Sequence, residues 1–193
     1  FQSMGTVYGN SWFRNIRMFN ATSDTASDIF RGDLVTMEST GNLEPLAASN
    51  TTGMLGVFVG VSDVSLRSIA NVAAFGMYDA SEQTDADLLV AVGAGLLVEA
   101  QEDGVGDLLE LIDRFMNVDM IATHAGSTTT GLSGMEIDSS SEATTETLPL
   151  QLLRLVDRPN NQLGDTDSTR PNARWICLCN NVKLTSGGLP AGL

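Results

Sequence analysis

The chain has 193 residues, 42% of them apolar, and a formal net charge of −14 from 24 acidic and 10 basic side chains. This length and composition are typical of one globular domain or two small ones and disfavour a disordered protein. The acidic excess repels a phosphate backbone, and no apolar run approaches the roughly 20 residues of a membrane-spanning helix. Neither nucleic acid nor a membrane is therefore an expected partner.

The first 28 residues include an apolar, aromatic and basic stretch that precedes the first clear hairpin. Residues 1–4 are interpreted as the remnant of an expression tag. Residues 5–28 are interpreted as either a first strand or an arm that reaches a neighbouring molecule. Aromatic and arginine side chains are common anchors at interfaces. The candidate contact residues in this stretch are Trp12, Phe13, Arg14 and Arg17. The alternative is that the two aromatic residues fill one end of the domain.

Residues 30 to 100 consist mainly of short apolar segments between turn-forming residues, a pattern typical of β-strands. Residues 32–47 predict a hairpin. Residues 54–61 predict a strand in which Gly56 and Gly60 indicate a close backbone approach or a sharp bend. Three further short strands are predicted at 71–78, 88–92 and 96–100. A Gly-Ala-Gly sequence predicts a turn between the last two of these strands.

One segment departs from this strand pattern. Asp107 is a favourable N-cap residue, and six apolar residues follow it at helical spacing. These residues are Leu108, Leu109, Leu111, Ile112, Phe115 and Met116. The spacing predicts a short helix over 107–116 that packs its apolar side on the sheet.

The C-terminal third begins with a long segment rich in serine, threonine and glycine, residues 122–147. This composition predicts an exposed loop, with one brief strand at 135–137. Two long strands are predicted at 148–156 and 173–184 because both segments are apolar and bounded by turn residues. Residues 185–193 are predicted to form a flexible tail.

These segments together predict an all-β fold with one short helix. The expected architecture is a single-domain β-barrel or sandwich, β-tulip-like, over residues 29–184. Cys177 and Cys179 lie two apart on the last strand and point to the same face. Such a pair suits a disulfide poorly, so both are interpreted as small core residues in a reducing compartment. A metal site would need further ligands, and His124 is the only histidine.

No pattern in the chain predicts a catalytic, metal or cofactor site. Residues 131–134, Gly-Leu-Ser-Gly, differ from a hydrolase nucleophile elbow by one position, and His124 is the only imidazole for the whole chain. The paired aspartates of 85–87 and 165–167 lack the later glutamate of a calcium loop. They are interpreted as solvated turn residues, and calcium binding stays open. The Arg-Gly-Asp tripeptide of 31–33 is explained by turn chemistry.

Several segments follow one another in a distinctive order. They are 32–35, the glycine-paired strand 53–61, 88–99, 130–134, 147–150 and 179–184. In this order the chain resembles the capsid decoration, or cement, proteins of tailed phages, especially marine podovirus-like ones. It departs from that pattern in residues 64–77, which are compact and aliphatic where those proteins usually carry a longer aromatic and proline-rich insert.

The resemblance implies a non-enzymatic structural virion protein that binds the outer surface of the expanded capsid and stabilises it against internal DNA pressure. The implied partners are the major capsid protein lattice and further copies of the chain, as a trimer or dimer, with no cofactor. Synthesis in the host bacterial cytoplasm is expected. One alternative is a carbohydrate- or receptor-binding β domain of a virion fibre, for which two Trp and two Tyr are available. Another is a hydrolase on a β scaffold, which a single histidine disfavours.

Overall fold

The strands account for most of the regular structure in the chain. The computed structural model describes residues 2–6, 16–21, 27–49, 53–61, 76–81, 86–93, 95–122, 124–163 and 170–183. The strands in these ranges are β1 (Gln2–Thr6), β2 (Ile16–Ala21), β3 (Leu34–Met37), β4 (Leu43–Pro45), β5 (Gly56–Val61), β6 (Ala86–Val92), β7 (Leu96–Gln101), β8 (Asn117–Val118), β9 (Met120–Ile121), β10 (Glu136–Ile137), β11 (Leu150–Leu155) and β12 (Arg174–Cys179). The predicted all-β fold class is confirmed.

The strands form two five-stranded sheets and one two-stranded ribbon. The first sheet has the order β1-β7-β12-β11-β8, the second has the order β2-β6-β5-β3-β4, and β10 pairs with β9. Every one of these pairs is antiparallel. No closed barrel is found among the described strands. The choice between a barrel and a sandwich stays a prediction.

Both sheets contribute side chains to one hydrophobic core. Val57 of the second sheet and Trp175 of the first belong to the same buried cluster. Phe58 and Val90 belong to a second cluster on the opposite face of the second sheet, since successive strand residues point to opposite faces. The second sheet is therefore buried on both faces. This explains why its strands read as continuous apolar runs rather than as alternating patterns.

The predicted hairpin and the predicted glycine-containing strand are both confirmed. β3 and β4 pair directly within 32–47. A Cβ atom on Gly56 would lie 2.1 Å from the carbonyl oxygen of Ala91, so the close backbone approach requires glycine. The register with β6 shifts between Phe58 and Gly60, which marks the bend in this strand.

The predicted turn after β6 does not join a hairpin. β6 pairs with β2 and β5 in the second sheet, whereas β7 pairs with β1 and β12 in the first. The chain passes from one sheet to the other between the end of β6 at Val92 and the start of β7 at Leu96. The two strands predicted on either side of this turn therefore have their partners in different sheets.

The predicted helix over 107–116 is also wrong. Its only helical element is a single 3-10 turn at Leu111–Asp113. The backbone of the following residues pairs with β11 instead: Phe115 donates to the Leu152 carbonyl at 2.7 Å, and Leu152 donates to the Met116 carbonyl at 2.9 Å. A tertiary pairing thus takes the backbone groups that a helix would have used.

The C-terminal predictions agree with the described strands. β10 lies in the brief strand predicted at 135–137, and β11 and β12 lie in the two long predicted strands. The segment 122–147 is not uniformly exposed, since Met135, Ile137 and Ser139 are buried. Residues 2–6 and 16–21 form the edge strands β1 and β2. The domain boundaries at 1–4, 5–28, 29–184 and 185–193 stay predictions, and the last segment lies outside the described residues.

Candidate functional site

The predicted contact residues lie almost entirely outside the described part of the chain. Trp12, Phe13 and Arg14 are not among the described residues. Arg17 lies in β2 opposite Val90, and only its backbone is described. The proposal that these residues bind a partner stays a prediction. Two other surfaces have features of binding sites, and no local motif indicated either of them.

The first surface is a pocket of about 750 Å³ bounded by β5, β7, β12 and residues 131–136. It is named the arginine pocket, and its polar lining residues are Arg31, Glu99, Gln101, Ser133, Glu136 and Arg174. Strand geometry explains part of this lining. Val98 and Ala100 face the main core, so Glu99 and Gln101 point to the other face of the first sheet.

Glu99 is the best-satisfied charge at the arginine pocket. It is only 7% exposed, and Arg158 donates to its two carboxylate oxygens at 2.7 and 2.8 Å. Arg174, which lies opposite Gln101 in β12, reaches the same carboxylate at 3.4 Å. A two-pronged arginine–carboxylate pair is strong and geometrically specific. Arg158 therefore neutralises Glu99, and Arg174 keeps most of its donors for another partner.

Arg31 brings a second guanidinium to the arginine pocket. Its backbone is fixed because its N–H donates to the Gly131 carbonyl at 2.9 Å and its own carbonyl accepts from Ser133 at 3.0 Å. The Arg31 side chain is exposed. No ion pair to this guanidinium is found among the described residues. The loop 131–134 thus holds the backbone from which the Arg31 side chain extends.

The remaining polar groups form two separate networks. His124 Nδ1 lies 2.8 Å from Glu136, whose other oxygen accepts from the Gln101 amide at 3.1 Å. The Ser133 hydroxyl is hydrogen-bonded to Asp33, and burial raises the pKa of that carboxyl despite this bond. Ser133 belongs to the Gly-Leu-Ser-Gly sequence that is close to a nucleophile elbow, and His124 is the only histidine of the chain. The two residues therefore have different carboxylate partners.

The second surface is the apolar loop, defined by Leu111, Ile112 and Phe115. Their exposed fractions are 43%, 82% and 69%. The loop joins β7 to β8, and β8 is the last strand of the first sheet. Phe115 has a φ of 71°, a left-handed conformation that costs a non-glycine residue about 1–3 kcal/mol. Such strain persists only where the surrounding contacts impose it.

Several contacts hold the apolar loop in a fixed conformation. Leu109 is completely buried, and its N–H donates to the carboxylate of Glu102 at 3.1 Å. The Glu110 N–H donates to the Asp113 carboxylate at 2.7 Å and closes a capping box around the 3-10 turn. Gln151 on β11 donates to the Phe115 carbonyl at 3.2 Å. The loop is thus anchored at both ends while its largest side chains point outward.

Among the described residues, no group of metal ligands lies at these surfaces, and neither cysteine lines the arginine pocket. In the described ranges, no three His, Cys, Asp or Glu side chains are grouped so that they would hold a metal ion. Asp85, Asp165 and Asp167 lie outside those ranges. The two cysteines are free and buried, as their interpretation as core residues predicted, and burial raises the pKa of Cys179 to about 12. None of the described helical segments has the length and apolar character needed to cross a bilayer.

No protein-family model matches the chain, and no curated protein or solved structure matches it. The resemblance to phage decoration proteins therefore stays a prediction. The candidate sites are supported by geometry, exposure and charge, and the function that follows from them is a proposal.

Proposed function

We propose that this protein is a non-enzymatic structural virion protein that binds the outer surface of the expanded phage capsid and stabilises it. The finer architecture proposed with this function is a single-domain, β-tulip-like sandwich or barrel over residues 29–184. The observation that carries the proposal is the apolar loop. A fixed loop at the end of a sheet keeps Leu111, Ile112 and Phe115 in solvent, and such side chains favour burial against a partner.

Burial of the apolar loop against the capsid would contribute several kcal/mol to the free energy of binding through its three side chains. Moving one leucine, isoleucine or phenylalanine side chain out of water is worth about 1.5–3 kcal/mol. The anchored backbone reduces the entropy that is lost on binding. A trimer or dimer on the major capsid protein lattice repeats the contact, so that individually modest affinities add. The loop is thus suited to a repeated attachment site.

Charge supports an outer position on the capsid. A protein with a net charge of −14 is repelled by packaged DNA and does not need to meet it from outside the shell. The N-terminal residues Trp12, Phe13, Arg14 and Arg17 are proposed as a second contact to the lattice. Their aromatic and guanidinium groups would complement the purely apolar loop.

The absence of enzymatic activity is part of the proposal. A serine hydrolase needs its hydroxyl within hydrogen-bond reach of a base. Here Ser133 is bonded to Asp33, and His124 is paired with Glu136. These separate pairings favour a structural loop over a catalytic dyad.

Co-sedimentation with heads of the cognate phage, before and after expansion, tests the proposal. Saturable binding to expanded heads only, at a fixed ratio to the major capsid protein, is the expected result. The double variant I112S/F115S should weaken binding by at least about tenfold, because it removes two exposed apolar contacts. L132S, which changes an exposed leucine far from the loop in sequence, is the matched control.

The triple variant W12S/F13S/R14Q tests the second contact separately, because these residues lie between β1 and β2 in the chain and the change leaves both strands present. Reduced affinity with an intact fold supports the N-terminal contact, and unchanged affinity removes it from the proposal. Absence of binding to either form of the head would contradict the capsid function itself.

A second candidate function is a carbohydrate- or receptor-binding β domain of a virion fibre. The arginine pocket favours it, since a concave site with a few converging polar groups is typical of ligand binding. A glycan array with the intact protein distinguishes the two functions. Glycan binding without head binding would support the fibre domain.

A further inference from the structure

Three of the ten basic side chains of this acidic protein meet at the arginine pocket. Arg31 and Arg174 line it, and Arg158 pairs with Glu99 beside it. The lining itself contains two guanidinium groups and two carboxylates, Glu99 and Glu136. Because Arg158, which lies outside the lining, already pairs with both oxygens of Glu99, the two lining guanidinium groups face one carboxylate, Glu136, that pairs with no described arginine. A concave surface of this kind attracts an anion.

The donors of Arg31 and Arg174 are available to a ligand. Arg158 occupies both oxygens of Glu99, which leaves Arg174 one long contact of 3.4 Å. The Arg174 side chain is half-exposed. Arg31 lacks an ion-pair partner in the described ranges. A guanidinium presents five N–H donors in a planar fork that matches a carboxylate or a phosphate, so the chemistry of the pocket favours an anionic ligand.

The rest of the lining suits hydroxyl groups and an apolar ring face. The Gln101 amide donates to Glu136, and its carbonyl oxygen remains as an acceptor. The apolar lining residues are Val57, Phe58, Val59, Ala100, Leu132 and Met135. A volume of about 750 Å³ lies in the range of small-molecule sites and accommodates one or two sugar rings.

We propose that the arginine pocket binds a hexuronate unit of an acidic polysaccharide. Its carboxylate would lie against Arg31 and Arg174, and its hydroxyls would bind Gln101 and Glu136. A neutral sugar leaves the guanidinium groups without a partner, and a simple anion leaves the amide and the apolar wall unused. The inference goes beyond capsid attachment and does not depend on it, because the pocket and the apolar loop share no residue.

Isothermal titration calorimetry of the full chain with D-glucuronate, glucose and acetate tests this proposal. Glucuronate is expected to bind saturably at one site per chain, with glucose and acetate at least about tenfold weaker. R31Q and R174Q should each weaken glucuronate binding by about tenfold or more, because each loses charge-assisted hydrogen bonds. R154Q is the control, since Arg154 is an exposed arginine on β11 outside the pocket.

The variants are compared by thermal unfolding before titration. If R174Q does not fold, R31Q carries the test, because the Arg31 side chain makes no ion pair with a described residue. Failure of glucuronate to bind, equal affinity for glucose or acetate, or wild-type affinity in R31Q and R174Q would each overturn the proposal. None of these outcomes changes co-sedimentation with heads, so the two proposals fail separately.

Discussion

Trp175 and Phe115 lie on opposite sides of strand β11, and their environments are opposite as well. Trp175 pairs with Leu155 of β11 and is completely buried, whereas Phe115 bonds to Leu152 of the same strand and is 69% exposed. β12 lies inside the sheet with neighbours on both sides, but the apolar loop leads into β8 at the end of the sheet. Backbone pairing therefore fixes both residues in place, whereas only the Trp175 side chain is covered by the core.

Truncation of a side chain at buried Trp175 should lower the stability of the fold more than truncation in the apolar loop. W175A is expected to destabilise the fold by about 3–5 kcal/mol, since it removes the largest fully buried side chain and leaves a cavity. Chemical denaturation measures the change. I112A in the apolar loop should stay within about 0.5 kcal/mol of the wild type. A loss of unfolding free energy below about 1 kcal/mol for W175A would contradict the inference that burial of Trp175 on β12 stabilises the fold.

A buried acid links the two regions. Glu102 is fully buried, and its two oxygens accept from Leu109, which anchors the apolar loop, and from Ala173, which precedes β12. E102A leaves the Leu109 N–H without its carboxylate acceptor and the Ala173 N–H with only the Arg170 carbonyl at 3.2 Å, and it is expected to cost about 2–4 kcal/mol. Hydrogen exchange should accelerate at Leu109, and less strongly at Ala173, which keeps its bond to the Arg170 carbonyl. E146A, at an exposed glutamate, is the control, and slow exchange at Leu109 in E102A would argue against the link.

The sequence predicts the parts of this molecule that depend on local chemistry. Turn residues and apolar runs were enough for the β3–β4 hairpin, for the bend at Gly60 and for β11 and β12. Strand partners were not predictable in the same way, because β6 and β7 are consecutive in the chain but belong to different sheets. The helix prediction failed for a related reason, since spacing shows which residues share a helical face but not whether β11 offers a competing pairing.

The candidate sites were harder to predict than the strands. Arg31, Glu99, Glu136 and Arg174 come from four distant segments, so no local spacing joins them. The sequence signal for β7 was the placement of Glu99 and Gln101 between core residues, which indicates an outward polar face but not its partners. The apolar loop was visible as a hydrophobic segment, and its composition favoured burial. Its exposure follows from the tertiary pairing with β11 and the 3-10 turn, which direct these side chains away from the core.

The link through Glu102 should also depend on pH. Burial raises the pKa of this carboxyl from 4.5 to about 7, and the bonds from Leu109 and Ala173 only partly oppose the shift. The folded state therefore binds more protons than the unfolded state between these values. The stability that Glu102 contributes is complete below about pH 4.5 and is lost as the pH rises through 7.

The comparison of wild type with E102Q isolates this contribution. The stability of the wild type relative to E102Q should fall by about 1 kcal/mol between pH 5.5 and 8, a value that allows for solvent screening. Denaturant unfolding across this range measures the difference. A constant difference between the two proteins would contradict the raised pKa and leave Glu102 with a purely structural role.

The substitution F115N is expected to have the smallest effect on stability, and it distinguishes the contribution of Phe115 to folding from its contribution to binding. F115N places in the left-handed conformation a residue that tolerates it, so relief of strain should offset the lost contacts of an exposed side chain. Unfolding free energy is expected to stay unchanged or to rise by up to about 1 kcal/mol. Head binding should nevertheless weaken, because the aromatic contact is gone. A clear loss of stability would instead show that Phe115 packs against the fold, and the loop would then lose its role as an interface.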